Sequence, residues 1–267
     1  MKTNLVIGDP IEHSLSPIIH NAAYQALGIS NEFVFKAERV RPAELENVAK
    51  RMRDDDVNAL AVTIPHKQSI FSLLDIIDDV ATEIGAVNTV VNNDGKLVGY
   101  NTDWQGVIGA LDEITDLKGN KVAILGTGGS ARAVAYAMKK AGAIITIFGR
   151  DNTKVIEISK QYGAMPASID AQSEIAECDV IINATSVGLD SATETDLVPS
   201  NKLGANQVVF DLVYPNQTKL LQNAKQAGAK AIDGLEMLLH QAVPQIELMT
   251  GLVPDIEVMR QAIQVKP

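Results

Sequence analysis

Lys121-Val122-Ala123-Ile124-Leu125-Gly126-Thr127-Gly128-Gly129-Ser130-Ala131 is the stretch whose reading decides the fold. An apolar run ends at a glycine turn, a helical pattern follows over 132–141, Gly142 closes it, and 144–148 reads as a second strand. Strand, glycine turn, helix and strand make one βαβ unit of about 30 residues. Gly126, Gly128 and Ala131 occupy the G-x-G-x-x-G/A positions. The first glycine allows the tight turn, the second lets a pyrophosphate approach the backbone, and the small third residue lets helix and strand pack closely. Open N–H groups and the dipole at the helix start favour phosphate. In this frame the motif predicts a bound dinucleotide, with Gly126, Thr127, Gly128, Gly129 and Ser130 as candidate contacts; the alternative is an ordinary glycine turn.

The choice between NAD and NADP is read about 20 residues further on, at the end of the second strand. Gly149-Arg150-Asp151 stands there. Arg150 can grip a 2′-phosphate, whereas Asp151 can bind a ribose 2′-hydroxyl and repel that phosphate. Alternatively both belong to a solvated turn in which Asp151 or Asn152 caps the next helix. Arg150 directly follows the strand end, which favours NADP and leaves NAD possible.

Working outward, strands are expected at 179–183, 207–213 and 230–232, helices at 153–161 and 218–227, and two tail helices at 234–250 and 254–265. Towards the N-terminus, strands are expected at 4–7, 32–36, 58–64, 87–91 and 96–100, with helices at 16–27, 42–53, 68–77 and 104–114. Asn92-Asn93-Asp94-Gly95 is a hairpin turn signal. Ser16 followed by Pro17 reads as a helix N-cap with proline at N1. The class is therefore α/β, with a mostly parallel sheet and one hairpin in the first half.

The chain has 267 residues, more than one typical domain. With 46% hydrophobic and 21% charged residues it is neither disordered nor a coiled-coil rod. A net charge of −10 argues against nucleic-acid or anionic-membrane binding. One cysteine, Cys178, precludes an intrachain disulfide and reads as a buried structural thiol. No run approaches the ~20 apolar residues of a membrane span, and the first residues lack signal-peptide character. A cytoplasmic protein is expected.

Five further stretches carry polar residues that packing does not require. They are Gly8-Asp9-Pro10-Ile11-Glu12-His13-Ser14-Leu15-Ser16-Pro17 with His20-Asn21; Val62-Thr63-Ile64-Pro65-His66-Lys67; Gly85-Ala86-Val87-Asn88-Thr89; Gly99-Tyr100-Asn101-Thr102-Asp103; and Gly234-Leu235 through Gln241. Together with Asn183-Ala184-Thr185-Ser186-Val187-Gly188 they closely resemble the shikimate dehydrogenase family, in order and over nearly the whole chain. The resemblance implies reversible reduction of 3-dehydroshikimate to shikimate with NADPH, on the route to chorismate and the aromatic amino acids. It implies two lobes: an N-terminal α/β substrate lobe of residues 1–102 and 235–267, and a Rossmann-type NAD(P)-binding lobe of residues 103–234. By motif position Ser14 and Ser16 bind the substrate carboxylate, and Thr63, Asn88 and Gln241 bind hydroxyls. Lys67 and Asp103 form the catalytic pair, and Tyr214 joins the substrate residues. Gly126 to Ser130, Arg150, Thr185, Ser186, Val187 and Gly234 contact the cofactor. The chain departs from the family pattern at 149–151, where Asn-Arg-Thr is usual. The small-molecule partner is shikimate or 3-dehydroshikimate, and the assembly is a monomer or homodimer.

The chemistry of the residues agrees with those roles. Hydride addition to a ketone builds negative charge on oxygen, so a proton donor must stand beside it. Lys67 can supply that proton, and a carboxylate such as Asp103 can hold the ammonium and accept a hydrogen bond from a ring hydroxyl. Taken singly, Lys67 reads as a surface lysine and Asp103 as the cap of the helix from Trp104. Ser16 likewise reads as a cap. His13, His20 and His66 are given structural roles, His240 a rim or surface position, and Trp104 a packing role. No Cys/His/Asp cluster suggests a metal. Three alternatives remain at this level: a quinate/shikimate dehydrogenase accepting NAD, a non-catalytic sensor on the same fold, and a methylene-folate dehydrogenase-like enzyme. The paired Lys67 and Asp103 argue against the sensor, and Ser14 with Ser16 against the last.

Overall fold

The structure is a computed structural model of the 267-residue chain and describes residues 1–112, 114–189, 195–214 and 217–264. It forms two compact units, Met1–Gly106 with Leu238–Pro267, and Val107–Met237.

In the first unit the elements are β1 (Lys2–Gly8), α1 (Ser16–Ala26), β2 (Phe33–Arg39), α2 (Leu45–Arg53), β3 (Ala59–Val62), α3 (His66–Ser69), β4 (Ile76–Ile77), α4 (Asp79–Ile84), β5 (Thr89–Asn93), β6 (Lys96–Tyr100) and the start of α5 (Asp103–Asp112). Their sheet runs β2-β1-β3-β5-β6-β4. Strand β1 pairs in parallel with β2 and β3, whereas β5 is antiparallel to β3 and β6. The β5–β6 hairpin turns through Asp94 and Gly95 at φ 51° and 84°, the two positive values that a type I′ turn requires. Helix α2 buries Leu45, Val48, Ala49 and Met52, an i, i+3, i+4, i+7 stripe. The stripe packs with Leu5, Ile7, Leu60, Val62 and Val90 from the sheet. Each such fully buried aliphatic side chain is worth roughly 1.5–3 kcal/mol.

The second unit continues α5 and adds β7 (Lys121–Leu125), α6 (Gly129–Lys140), β8 (Ile144–Gly149), α7 (Asn152–Tyr162), β9 (Met165–Ser168), α8 (Gln172–Ala176), β10 (Val180–Asn183), β11 (Val208–Asp211), α9 (Lys219–Gln226), β12 (Lys230–Ile232) and the start of α10 (Gly234–Thr250). All pairings in its sheet are parallel, in the order β12-β11-β10-β7-β8-β9. This is the doubly wound order, with its topological switch point between β7 and β10. The strand interiors are buried throughout β10 and β11, as parallel strands covered on both faces require. The rest of α10 returns to the first unit, where α11 (Ile256–Gln264) packs on α1.

Several sequence expectations shift. The helix expected at 68–77 is α3, a 3₁₀ turn over Ile70–Leu73 and then β4. Leu74 is extended, and Asp75 N–H donates to the Leu97 oxygen at 3.0 Å, drawing the chain onto the sheet edge. Helix α4 was not expected. Asp78 caps it by accepting from Val80 and Ala81, and Gly85 closes it at φ 71°. Strand β9 and helix α8 were also missed; β9 is a short edge strand containing Pro166, a residue tolerated there. Helix α6 starts at Gly129, not Arg132, because Gly128 is already its extended N-cap. Ser16 is not an N-cap. Leu15 already has helical backbone angles and holds the cap position, so Ser16 lies inside the first turn and is buried. The second tail helix begins at Ile256, and the expected end at Val265 lies outside the described residues. Among the described residues, no helix is long and apolar enough to cross a membrane, and no group of three or more His, Cys, Asp or Glu is placed to hold a metal.

Candidate functional site

In the first unit Ser14, Thr63 and Asn88 sit on loops at strand ends, and Ser16, Lys67, Asp103 and Gln241 on helices α1, α3, α5 and α10. The segment 9–15 leaves β1 and the segment 63–67 leaves β3, the strand beside it. Gly8 lets these segments touch, since a Cβ there would lie 2.6 Å from Thr63 Cγ2 and 3.0 Å from the Ile64 oxygen. The Asp9 N–H donates to the Ile64 oxygen at 3.0 Å, and Thr63 N–H donates to the Ile7 oxygen at 3.0 Å. His66 is buried, with Nε2 donating to the Val40 oxygen at 2.6 Å. That bond anchors the turn carrying Lys67, the structural role expected of His66. Ser14 Oγ accepts from Ser16 N–H at 3.3 Å and stands half-buried at the entry to α1. Thr63 is half-buried as well.

Lys67 Nζ donates to Asp103 Oδ2 at 2.6 Å, with the two side chains 12% and 5% exposed. Asn88 Nδ2 donates to the other carboxylate oxygen at 2.9 Å, to Thr102 Oγ1 at 2.9 Å and to Gln241 Oε1 at 3.3 Å. Asp103 is the first residue of α5 and not its cap; its own N–H donates to Asn101 Oδ1 at 3.0 Å. The Asp103 carboxylate therefore remains turned to Lys67 and Asn88. The buried Asn88, Asp103 and Gln241 and the half-buried Lys67 are thus joined in one polar cluster. A cluster of this kind presents an ammonium donor, a carboxylate acceptor and amide groups together, a set suited to a polyhydroxylated substrate and a proton transfer.

In the second unit the loops after β7 and β10 meet at the switch point. Gly126 has φ 120°, and a Cβ there would stand 2.9 Å from the Ala184 oxygen and 3.2 Å from Thr185 Cγ2. Only glycine fits both the angle and the contact. The N-cap of α6 is the exposed Gly128, without a side-chain capping bond; the first N–H groups of a helix have no partner within it. Thr127, Gly129 and Ser130 surround that end, half-buried. Such a cradle fits a dinucleotide pyrophosphate. The β10 loop is held by side chains. Asn183 Oδ1 accepts from Thr185 N–H and hydroxyl at 3.0 and 2.7 Å, and Asn183 Nδ2 donates to the Val187 oxygen and to Asp211 Oδ1 at 3.3 and 2.9 Å. Asp211 also accepts from Thr218 and the Val213 N–H. Burial raises its carboxyl above the usual range. The sequence reading missed this tie between β10 and β11.

Arg150 is exposed at the end of β8. Asp151 accepts from Thr153 and Lys154 N–H at 3.0 and 3.2 Å and is the cap of α7. Its carboxylate thus serves the helix. Ser186 is exposed, Val187 is half-buried, Tyr214 lies half-buried beyond β11, and Gly234 opens α10. The sequence reading also assigned no role to Asn101, Thr102 and Thr89 of the first unit, or to Gln245. The Asn-Thr-Asp run contained the first two, and Gln245 stands four residues after Gln241 on α10, hence on the same helix face.

Three family models match the chain. Residues 6–90 match the shikimate dehydrogenase substrate binding domain, residues 109–238 the shikimate / quinate 5-dehydrogenase model, and residues 234–264 the shikimate 5'-dehydrogenase C-terminal domain. Shikimate dehydrogenase (NADP(+)) of Pyrococcus abyssi is 39% identical over 264 residues, covering 98% of this chain and 97% of the relative. The crystal structure of shikimate dehydrogenase from Aquifex aeolicus superposes with a TM-score of 0.92 at 35% identity, over 99% of this chain and 98% of that one. Shikimate 5-dehydrogenase from Thermus thermophilus, in complex with NADP(H) and shikimate, gives a TM-score of 0.89 at 33% identity, over 99% of each chain.

Proposed function

Because the chain belongs to the shikimate dehydrogenase family, we propose that its Lys67–Asp103 pair performs the proton transfer of that family's reaction. The protein is an NADP-dependent oxidoreductase that interconverts 3-dehydroshikimate and shikimate, a step of aromatic amino acid biosynthesis. The first unit is assigned to the substrate and the second to the dinucleotide.

Ser14 and Ser16, on the turn that opens α1, bind the substrate carboxylate with their hydroxyls. Thr63, Asn88 and Gln241 bind ring hydroxyls, and Tyr214 completes the set. The cradle of 126–130, with Thr185, Ser186, Val187 and Gly234, holds the cofactor, and Arg150 takes the 2′-phosphate. With Asp151 engaged as a helix cap, its charge is partly offset by the α7 dipole. NADPH supplies the hydride when bound. As charge develops on the carbonyl oxygen, the Lys67 ammonium gives it one proton, so that ketone, hydride and proton become a secondary alcohol. In the reverse direction Lys67 takes that proton back from the hydroxyl. Asp103 aims the ammonium through the 2.6 Å bond and accepts a hydrogen bond from the neighbouring ring hydroxyl.

The observation that carries this reading is the Lys67–Asp103 pair, held at its far side by Asn88. The experiment is a steady-state matrix of shikimate and quinate against NADP⁺ and NAD⁺, followed by nicotinamide absorbance. Shikimate with NADP⁺ is expected to have the highest kcat/KM, and Arg150→Ala to weaken NADP⁺ use more than NAD⁺ use. Quinate with NAD⁺ as the better pair, or no nicotinamide reduction, contradicts the assignment.

A further inference from the structure

Gln245, on α10, is 1% exposed. Its Nε2 donates to the Asn88 backbone oxygen at 3.2 Å and to Thr89 Oγ1 at 2.8 Å. A backbone carbonyl only accepts, so the atom facing it is the amide nitrogen. With that nitrogen donating to its oxygen, the Thr89 hydroxyl directs its single hydrogen to Asn88 Oδ1, 2.8 Å away. The same Oδ1 accepts the Thr102 N–H at 2.9 Å. Two donors on Oδ1 prevent the Asn88 amide from turning over. Nδ2 is therefore left facing Asp103 Oδ1 at 2.9 Å. The donors all point one way, from Gln245 through Thr89 and Asn88 to the carboxylate that holds Lys67, and such chains polarise their members.

We propose that Gln245 is a positioning residue for the reaction: it sets the direction of the Thr89 hydroxyl and thereby the orientation of the Asn88 amide against Asp103. This rests on the roles given above to Asn88, Lys67 and Asp103. Without Gln245 the Thr89 hydroxyl is free to rotate away, and Asn88 Oδ1 is held by the Thr102 N–H alone. With one of its two anchors gone, the amide holds its Nδ2 less firmly against Asp103, and the carboxylate that aims Lys67 loses part of its positioning.

The test compares Gln245→Met, which keeps length and removes the donors, with Thr89→Val and Thr89→Ser. Gln245→Met and Thr89→Val are each expected to lower kcat/KM for shikimate roughly tenfold, the scale of one hydrogen bond to a charged network. The KM for NADP⁺ is expected to stay at the wild-type value. Thr89→Ser, which keeps the hydroxyl, restores kcat/KM to near wild type. The double variant Gln245→Met/Thr89→Val is no worse than the weaker single variant, because both remove the same link. Losses that multiply, a wild-type kcat/KM in either deletion variant, or a Thr89→Ser as impaired as Thr89→Val each overturn the proposal. Where Gln245→Met does not fold, the Thr89 pair decides alone. Lys67→Ala is measured alongside. An inactive Lys67→Ala with a wild-type Gln245→Met refutes the positioning role only, whereas an active Lys67→Ala refutes the proton-donor reading beneath it.

Discussion

Acidification from pH 7 to pH 4 perturbs one residue of α1 in a way the structure makes quantitative. His20 is fully buried, stacked on Phe35 with ring centroids 3.9 Å apart, and its Nδ1 donates to the Ser16 oxygen at 2.8 Å. Burial pushes its pKa down from 6.5 to about 4, because the charged ring loses its water. The unfolded chain therefore binds a proton on this residue near pH 6.5, while the folded chain refuses it until about pH 4. Stability from His20 is complete above pH 6.5 and is lost as the pH falls towards 4. The separation of roughly 2.5 units corresponds to about 3 kcal/mol at 1.36 kcal/mol per unit. That is a large share of a typical 5–15 kcal/mol. The assay is urea unfolding of the wild type and of His20→Gln at pH steps from 7 to 4. Carboxylates contribute alike to both proteins, so the difference curve isolates His20. The wild type is expected to lose about 3 kcal/mol more than the variant across that range. Parallel curves would refute the reasoning, since a ring that charges freely in the folded state cannot produce the difference.

Three further perturbations act elsewhere. Cys178 is buried, and burial raises its thiol to about 11; at pH 8 a disulfide reagent should label the native protein at least ~100-fold more slowly than the urea-unfolded chain, and equal rates would contradict this. Gly126→Ala forces a side chain into φ 120° against the Ala184 oxygen. It should cost about 1–3 kcal/mol and raise the KM for NADP⁺ with the affinity for shikimate retained, as read by calorimetry and steady-state kinetics. On the carboxylate role proposed for Ser14, Ser14→Ala should raise the KM for shikimate by roughly 10–100-fold; an unchanged KM removes Ser14 from the carboxylate site.

The dinucleotide-binding sheet was legible because its signal is local: Gly126, Gly128 and Ala131 fall between two apolar runs, and each glycine has a backbone reason to be there. The β5–β6 hairpin was legible for the same reason, through Asp94-Gly95. By contrast β4 has two residues and α4 has six, too short for any period to register. Their stability comes from neighbours, such as the Asp75 bonds to Leu97, that no window along the chain contains. The site was read from motifs and from family resemblance. What the sequence could not show is how polar groups choose partners across the fold. Lys67 and Asp103 stand 36 residues apart, and Gln245 and Thr89 stand 156 apart. Ser16 and Asp103 were each read with a capping role because capping is a local rule. The structure instead gives the cap of α1 to Leu15 and places Asp103 inside α5 as its first residue.

The central claim is that Lys67 moves the proton that accompanies hydride transfer. It is tested most directly by mixing Lys67→Ala, saturated with shikimate, against NADP⁺ in a stopped-flow instrument and following one turnover of nicotinamide absorbance. The account predicts that shikimate still binds by calorimetry while the single-turnover rate falls by roughly 10²–10⁴, the usual contribution of a positioned acid or base. A wild-type turnover rate in a variant that binds shikimate normally would contradict it.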